Sequence, residues 1–183
     1  MAVVFVVLAV VVLAGLYFVF QYNGLVKLRN RIEAAWSQID VQLQRRYDLV
    51  PNLVETVKGY AAHEKQVFER VTTARTAAID AKGVAEQAKA ESGFTTALKS
   101  LFAVSEAYPE LKANENFLAL QEELTGTEGR IAYARQYYND IVQSYNSRVQ
   151  SFPSNLVANA FHFTQREYFE ADDSSRPPVQ VKF

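Results

Sequence analysis

Residues 115–152 read ENFLALQEELTGTEGRIAYARQYYNDIVQSYNSRVQSF. Steps of three and four alternate through Phe117, Leu120, Leu124, Thr127, Ile131, Ala134, Tyr138, Ile141, Tyr145, Arg148 and Phe152. Nine of these eleven positions are apolar or aromatic, so the stretch is a long helix with a coiled-coil-like seam. Gly126 and Gly129 lie inside it. Each costs about 1 kcal/mol relative to alanine in a helix interior, which predicts a close helix contact or a local bend there. Pro153 ends the helix, and a short amphipathic piece follows over 154–163.

Working toward the N-terminus, Asn114 is a good N-cap for this helix. Phe94, Leu98, Leu101, Phe102 and Val104 predict a short helix that stops before Pro109. Ala81-Lys82-Gly83 marks a stop, and Glu91-Ser92-Gly93 reads as a second polar break. A further stripe runs Ile32, Trp36, Ile39, Leu43, Tyr47 and Val50 and resumes as Val54, Val57, Ala61, Phe68 and Val71. Trp36 is expected in the core. Pro51 interrupts this stripe with no glycine or spare loop residue beside it, which favours continuation through a kink over a reversal. Asn23-Gly24 reads as a hinge or break. The body is all-α and built of long helices.

Residues 2–20 read AVVFVVLAVVVLAGLYFVF, nineteen residues with no charge and one phenol. As a helix they extend roughly 28 Å, close to the hydrocarbon thickness of a bilayer. A cleaved signal fits less well: there is no basic leader, the run is too long, and no small-x-small site follows it. The stretch is expected to be a membrane anchor. Lys27, Arg29 and Arg31 follow it, which by the positive-inside bias places the body in the cytoplasm.

Composition excludes several functions. The chain has no cysteine and two histidines among 183 residues, which removes thiolate chemistry and leaves little for metal or imidazole catalysis. Neither His63 nor His162 stands in a Glu-x-x-His pattern. No phosphate loop or nucleophile elbow occurs. A formal net charge of -1 does not suit nucleic-acid binding. No catalytic, cofactor-binding or metal-binding residue is therefore expected.

What remains are candidate partner contacts. Arg45, Arg46, Asp48, Asn52 and Glu55 gather charge around Pro51, and His63 follows two turns on; the plainer reading of each is a solvated face. Glu106, Glu110, Glu115, Glu122, Glu123 and Glu128 make the middle of the chain acidic, a solvated surface or a partner for basic residues of the first helix. Residues 172–178 have the composition of a tether. Beyond it Val179, Val181 and Phe183 alternate with polar residues, as a docking strand would; the plainer reading is a frayed end.

The strings Tyr22 to Asn30 (YNGLVKLRN), Ala35 to Leu43 (AWSQIDVQL), Asp48 to Tyr60 (DLVPNLVETVKGY), Glu106 to Phe117 (EAYPELKANENF), Arg130 to Arg135 (RIAYAR) and Phe152 to Asn155 (FPSN) resemble the LemA family of bacterial membrane proteins over nearly the whole chain. The resemblance implies an N-terminal transmembrane helix followed by an antiparallel, four-helix-type bundle, and it brings no assigned reaction. The expected organisation is an anchor over 1–22, a bundle over 23–165, and a polar linker and tail over 166–183. The expected function is a non-enzymatic scaffold or adaptor on the bacterial cytoplasmic membrane, self-associating as a homo-oligomer. The alternative is a regulatory or signalling subunit of a membrane enzyme such as a protease. No cofactor or nucleic acid is expected; the bilayer is the first partner.

Overall fold

The computed structural model describes residues 1–170. The described residues form six helices: α1 (Ala2–Lys58), α2 (Lys65–Asp80), α3 (Val84–Glu106), α4 (Pro109–Lys112), α5 (Glu115–Gln150) and α6 (Ser154–Ala160). They contain no strand, as the 3.6-residue spacing predicts. The chain divides into two compact units, and α1 and α5 contribute to both.

Unit one holds Met1–Gln38 and Gln136–Glu167. Residues 2–20 are helical and lie almost wholly exposed, without a buried face. Burial starts at Leu25 and continues through Ile32 and Ala35. Those residues pack with Tyr138, Val142, Tyr145 and Val157 as the core of the unit. Here α1 and α5 run antiparallel. Gly24 lies beside Arg148, and the ring of Trp36 meets that of Tyr138 edge-on at 5.6 Å. The helix passes through Asn23-Gly24 without a break. A Cβ at Gly24 would come within 2.5 Å of the Arg148 Nη1, so this glycine makes room for a guanidinium rather than a hinge. Trp36 is half-buried, not buried, because Ala35 takes the central position on the face. The buried Asn146 exchanges two hydrogen bonds with Arg166: its amide donates to the Arg166 carbonyl at 2.9 Å and its Oδ1 accepts from the Arg166 N–H at 2.8 Å. Tyr138 donates to the Glu167 carbonyl at 3.0 Å. The segment after α6 is thereby strapped to α5.

Unit two holds Ile39–Arg135 and, among the described residues, 168–170. Pro51 lies inside α1, which runs on to Lys58. A proline lacks the N–H that would bond the carbonyl four residues back. That carbonyl belongs to Tyr47, and it accepts instead from the Arg75 Nε of α2 at 2.8 Å. The reversal comes later, at residues 59–64, where the Val57 carbonyl accepts from both Tyr60 and Ala61. The stripe through Ala61 and Phe68 is thus carried on two helices. Between α2 and α3 the chain turns at Gly83, whose φ of 81° would strain any residue with a Cβ. The break expected at residues 91–93 does not occur: α3 passes straight through Glu91, which is buried. Asn114 caps α5, its Oδ1 accepting from the Phe117 N–H at 3.0 Å. Neither Gly126 nor Gly129 has a neighbour within 4 Å of where a Cβ would stand, so no close contact requires them.

The α5 seam is buried within the chain from Phe117 to Tyr145 except at the half-buried Leu120, whereas Arg148 and Phe152 are exposed. A second copy is not needed to cover it.

Candidate functional site

The densest polar constellation lies in unit two and centres on Arg46. Its side chain is 2% exposed. One Nη pairs with the carboxylate of Glu91, whose side chain is 5% exposed. The other bonds Glu128 at 2.5 Å and lies 3.4 Å from the Thr95 hydroxyl. The guanidinium carbon sits 5.0 Å from the ring centroid of Phe94, where the face of the π-system attracts a cation. Tyr47 donates its hydroxyl to Glu91 and accepts from the Gln87 amide at 3.0 Å. Gln87 also reaches Glu91 at 2.9 Å and the Ala78 carbonyl at 3.0 Å. Burial raises the Tyr47 phenol above its ordinary value, and the nearby Arg46 charge opposes that rise. The cluster ties together side chains from α1, α3 and α5 and the last turn of α2.

These positions follow from helix periodicity. Glu91 lies on the buried face of α3 between Ala88 and Phe94, so its carboxylate points into the core and needs a cation. An arginine suits that need, because its planar fork serves two carboxylates while its face stacks on a ring. Nearby, Arg135 lies 4.3 Å from the ring centroid of Phe169, and burial lowers its pKa, with Arg46 adding to the effect. The hydroxyl beside a carboxylate, that of Tyr47, is buried together with Glu91 in the core. The Arg46 Nε is buried without a hydrogen-bond partner, but the other donors of the cluster are turned toward fixed acceptors, an arrangement that locks helices in register. Among the described residues no group of three His, Cys, Asp or Glu could hold a metal ion. A depression along α2, lined by Gln66, Glu69, Arg70, Thr73, Ala74 and Ala77, has no such convergence.

The structure separates the expected partner contacts. Arg46 enters the core. Arg45, Asp48, Asn52 and Glu55 follow steps of three, four and three along α1 and are exposed. Arg45 pairs with Glu123. Asp48 accepts from Gln44 at 2.9 Å and Glu55 from Lys58 at 2.7 Å. His63 is exposed in the turn before α2. Val179, Val181 and Phe183 lie outside the described residues, as does the 172–178 linker. Two members of the acidic group, Glu123 and Glu128, bond Arg45 and Arg46 within the chain. Tyr47, Gln87, Glu91, Thr95 and Arg75 belong to no sequence motif. The signal for Glu91 was its place on an apolar stripe.

The LemA family profile matches residues 35–183, most of the chain. The chain belongs to the LemA family. It is 29% identical over 185 aligned residues to magnetosome protein MamQ 2 of Paramagnetospirillum magneticum, covering 87% of this chain and 68% of that protein. Protein LemA of Metamycoplasma hominis is 26% identical over 183 residues, covering 97% of this chain and 82% of its own length. Magnetosome protein MamQ of Magnetospirillum gryphiswaldense is also 26% identical. None of these names denotes a reaction. Family membership and the one helix among the described residues that is long and apolar enough to cross a bilayer indicate a membrane-associated helical protein.

Proposed function

We propose that the protein is a non-enzymatic scaffold or adaptor, held on the cytoplasmic membrane by its N-terminal helix with its body in the cytoplasm. One observation carries the reading: the uncharged stretch over residues 2–20 has no buried face, yet it continues without interruption into the helix that builds the bundle. A span joined so directly is suited to fixing a rigid body against a bilayer. Lys27, Arg29 and Arg31 beyond the span support a cytoplasmic body. The inward-facing polar cluster, whose carboxylates are paired with a buried arginine, supports a structural rather than a chemical role. Tethering confines copies and partners to two dimensions, which raises their effective concentration without a large interface. Self-association belongs to the proposal on that ground, since the α5 seam is occupied within the chain.

The test is purification of the intact protein in mild detergent, followed by mass measurement and identification of whatever is retained. Multi-copy particles, or one particle holding several different partners, are expected. A monomer carrying nothing would overturn the scaffold. Stoichiometric retention of a single membrane enzyme would replace it with the regulatory-subunit reading.

A further inference from the structure

One end of unit one carries an apolar edge that the other described residues leave uncovered. Phe152, in the turn between α5 and α6, is 79% exposed; Leu156 on α6 is 52% and Phe161 just after it 53% exposed. Contacts within the unit locate this corner. The Phe161 ring packs on that of Tyr22 at 4.7 Å, and Phe163 meets the same ring at 5.7 Å. Gly24 lies beside Arg148, and Trp36 beside Tyr138. That antiparallel register, continued by one turn, sets Phe152 beside the stretch from Phe20 to Tyr22.

Those are the residues at which the apolar span ends. Phe20 is exposed and Leu25 fully buried, so lipid-facing helix becomes bundle in five residues, roughly 7.5 Å of rise. The polar layer of one leaflet is about as thick, roughly 5–7 Å. No spacer holds the corner away from the bilayer surface. Arg148, beside Gly24, is exposed, and the exposed Lys27 follows about one turn on, suited to anionic headgroups. Aromatic rings and leucine at that depth, with basic residues behind them, are the chemistry of an interfacial contact.

We propose that the α5–α6 corner is a second, monotopic membrane contact, in which Phe152, Leu156 and Phe161 seat in the headgroup–acyl boundary next to the anchor. The anchor and the corner then hold unit one at two points and fix its tilt against the bilayer. The proposal rests on the anchor reading, and its test separates the two.

The chain has no cysteine, so single nitroxide labels can be placed through Phe152→Cys, Leu156→Cys and Phe161→Cys. The full chain goes into vesicles of phosphatidylcholine and phosphatidylglycerol, with relaxation by oxygen compared against a water-soluble nickel chelate. Leu8→Cys reports the span, and the exposed Ser37→Cys reports water. The corner labels are expected about 5–10 Å inside the boundary, with Leu8 deeper and Ser37 outside. A label on Ser151→Cys is also expected in the boundary, and should move into water when Phe152, Leu156 and Phe161 are all replaced by serine. Corner labels as open to nickel as Ser37, with Leu8 still in the core, would overturn the corner while leaving the anchor standing. A Leu8 label in water would overturn both. Shielding of the corner that vanishes as protein is diluted in lipid would assign the face to a second copy and overturn the proposal. A Ser151 label that stays in the boundary after the serine replacements would overturn it too.

Discussion

Replacing Arg46 with methionine tests whether the buried cluster is a structural lock. The substitution keeps an unbranched apolar stem but leaves the Glu91 carboxylate, with a side chain 5% exposed, facing only the neutral donors Tyr47 and Gln87. Removing one partner of a buried ion pair costs about 3–5 kcal/mol. In a domain of this size each kcal/mol shifts the melting temperature by about 2–4 °C, so a fall of about 6–20 °C is expected. Glu128 adds little to that cost, because its side chain is 39% exposed and can turn to water. Adding Glu91→Leu to the same chain removes the stranded charge. Tyr47 and Gln87 then still have the Ala78 carbonyl, at 3.4 and 3.0 Å. Apolar replacement of a whole buried pair is commonly neutral or stabilising by about 1–4 kcal/mol, so the double variant should recover most of the loss. The assay is far-ultraviolet circular dichroism on the intact chain in mild detergent, with parent, both single variants and the double melted side by side. A fall of less than about 2 °C for Arg46→Met, or a double variant that melted below both singles, would show that the cluster is not a structural lock.

The Pro51–Arg75 pair should couple. Arg75→Leu leaves the Tyr47 carbonyl without its charged donor and is expected to cost about 1.5–3 kcal/mol. In a Pro51→Ala chain the new N–H can take that carbonyl, so Arg75→Leu should cost little; equal costs in the two backgrounds would refute the substitution of one donor for the other. Gly126→Ala and Gly129→Ala should each raise stability by about 0.5–1 kcal/mol, since both sites are open; a lowered melting temperature for either would reveal a contact that open space does not provide. Burial raises the phenols of Tyr47, Tyr138 and Tyr145 above the ordinary 10.0. Stability from such groups is fully present below that value and is lost as pH rises through the folded-state values. Melting temperatures should therefore fall above about pH 10, and Tyr47→Phe should flatten part of that fall; an unchanged slope would contradict the assignment.

The long elements were legible because period and caps agree. The α5 seam, the Asn114 cap and the stop at Ala81-Lys82-Gly83 each combine an apolar repeat with a residue of matching backbone preference. Three features escaped because their cause lies elsewhere in the chain. Continuation of α1 through Pro51 was legible, but the donor that replaces the lost bond, Arg75 on α2, lies 24 positions along the sequence. Glu91-Ser92-Gly93 is polar enough to read as a break, yet the helix holds because Arg46 neutralises the carboxylate from another helix. Gly24 reads as a hinge from neighbours in sequence, while its reason is Arg148. The same logic applies to the candidate contacts. Arg45 and Arg46 are indistinguishable as a dipeptide, and only their place on the α1 face sends one to solvent and the other into the core. The turn at residues 59–64 was hidden because the apolar stripe resumes in phase on α2.

In the proposed arrangement residues 2–20 anchor a bundle that folds without them. The direct measurement compares the full chain with one lacking those residues, after membrane isolation and an alkaline carbonate wash. The full chain should stay with the washed membrane. The shortened chain should appear in the soluble fraction with the helical signal and cooperative melt of the parent bundle. Release of the full chain by the wash, or a shortened chain that remains with the membrane pellet as firmly as the parent, would exclude residues 2–20 as the anchor.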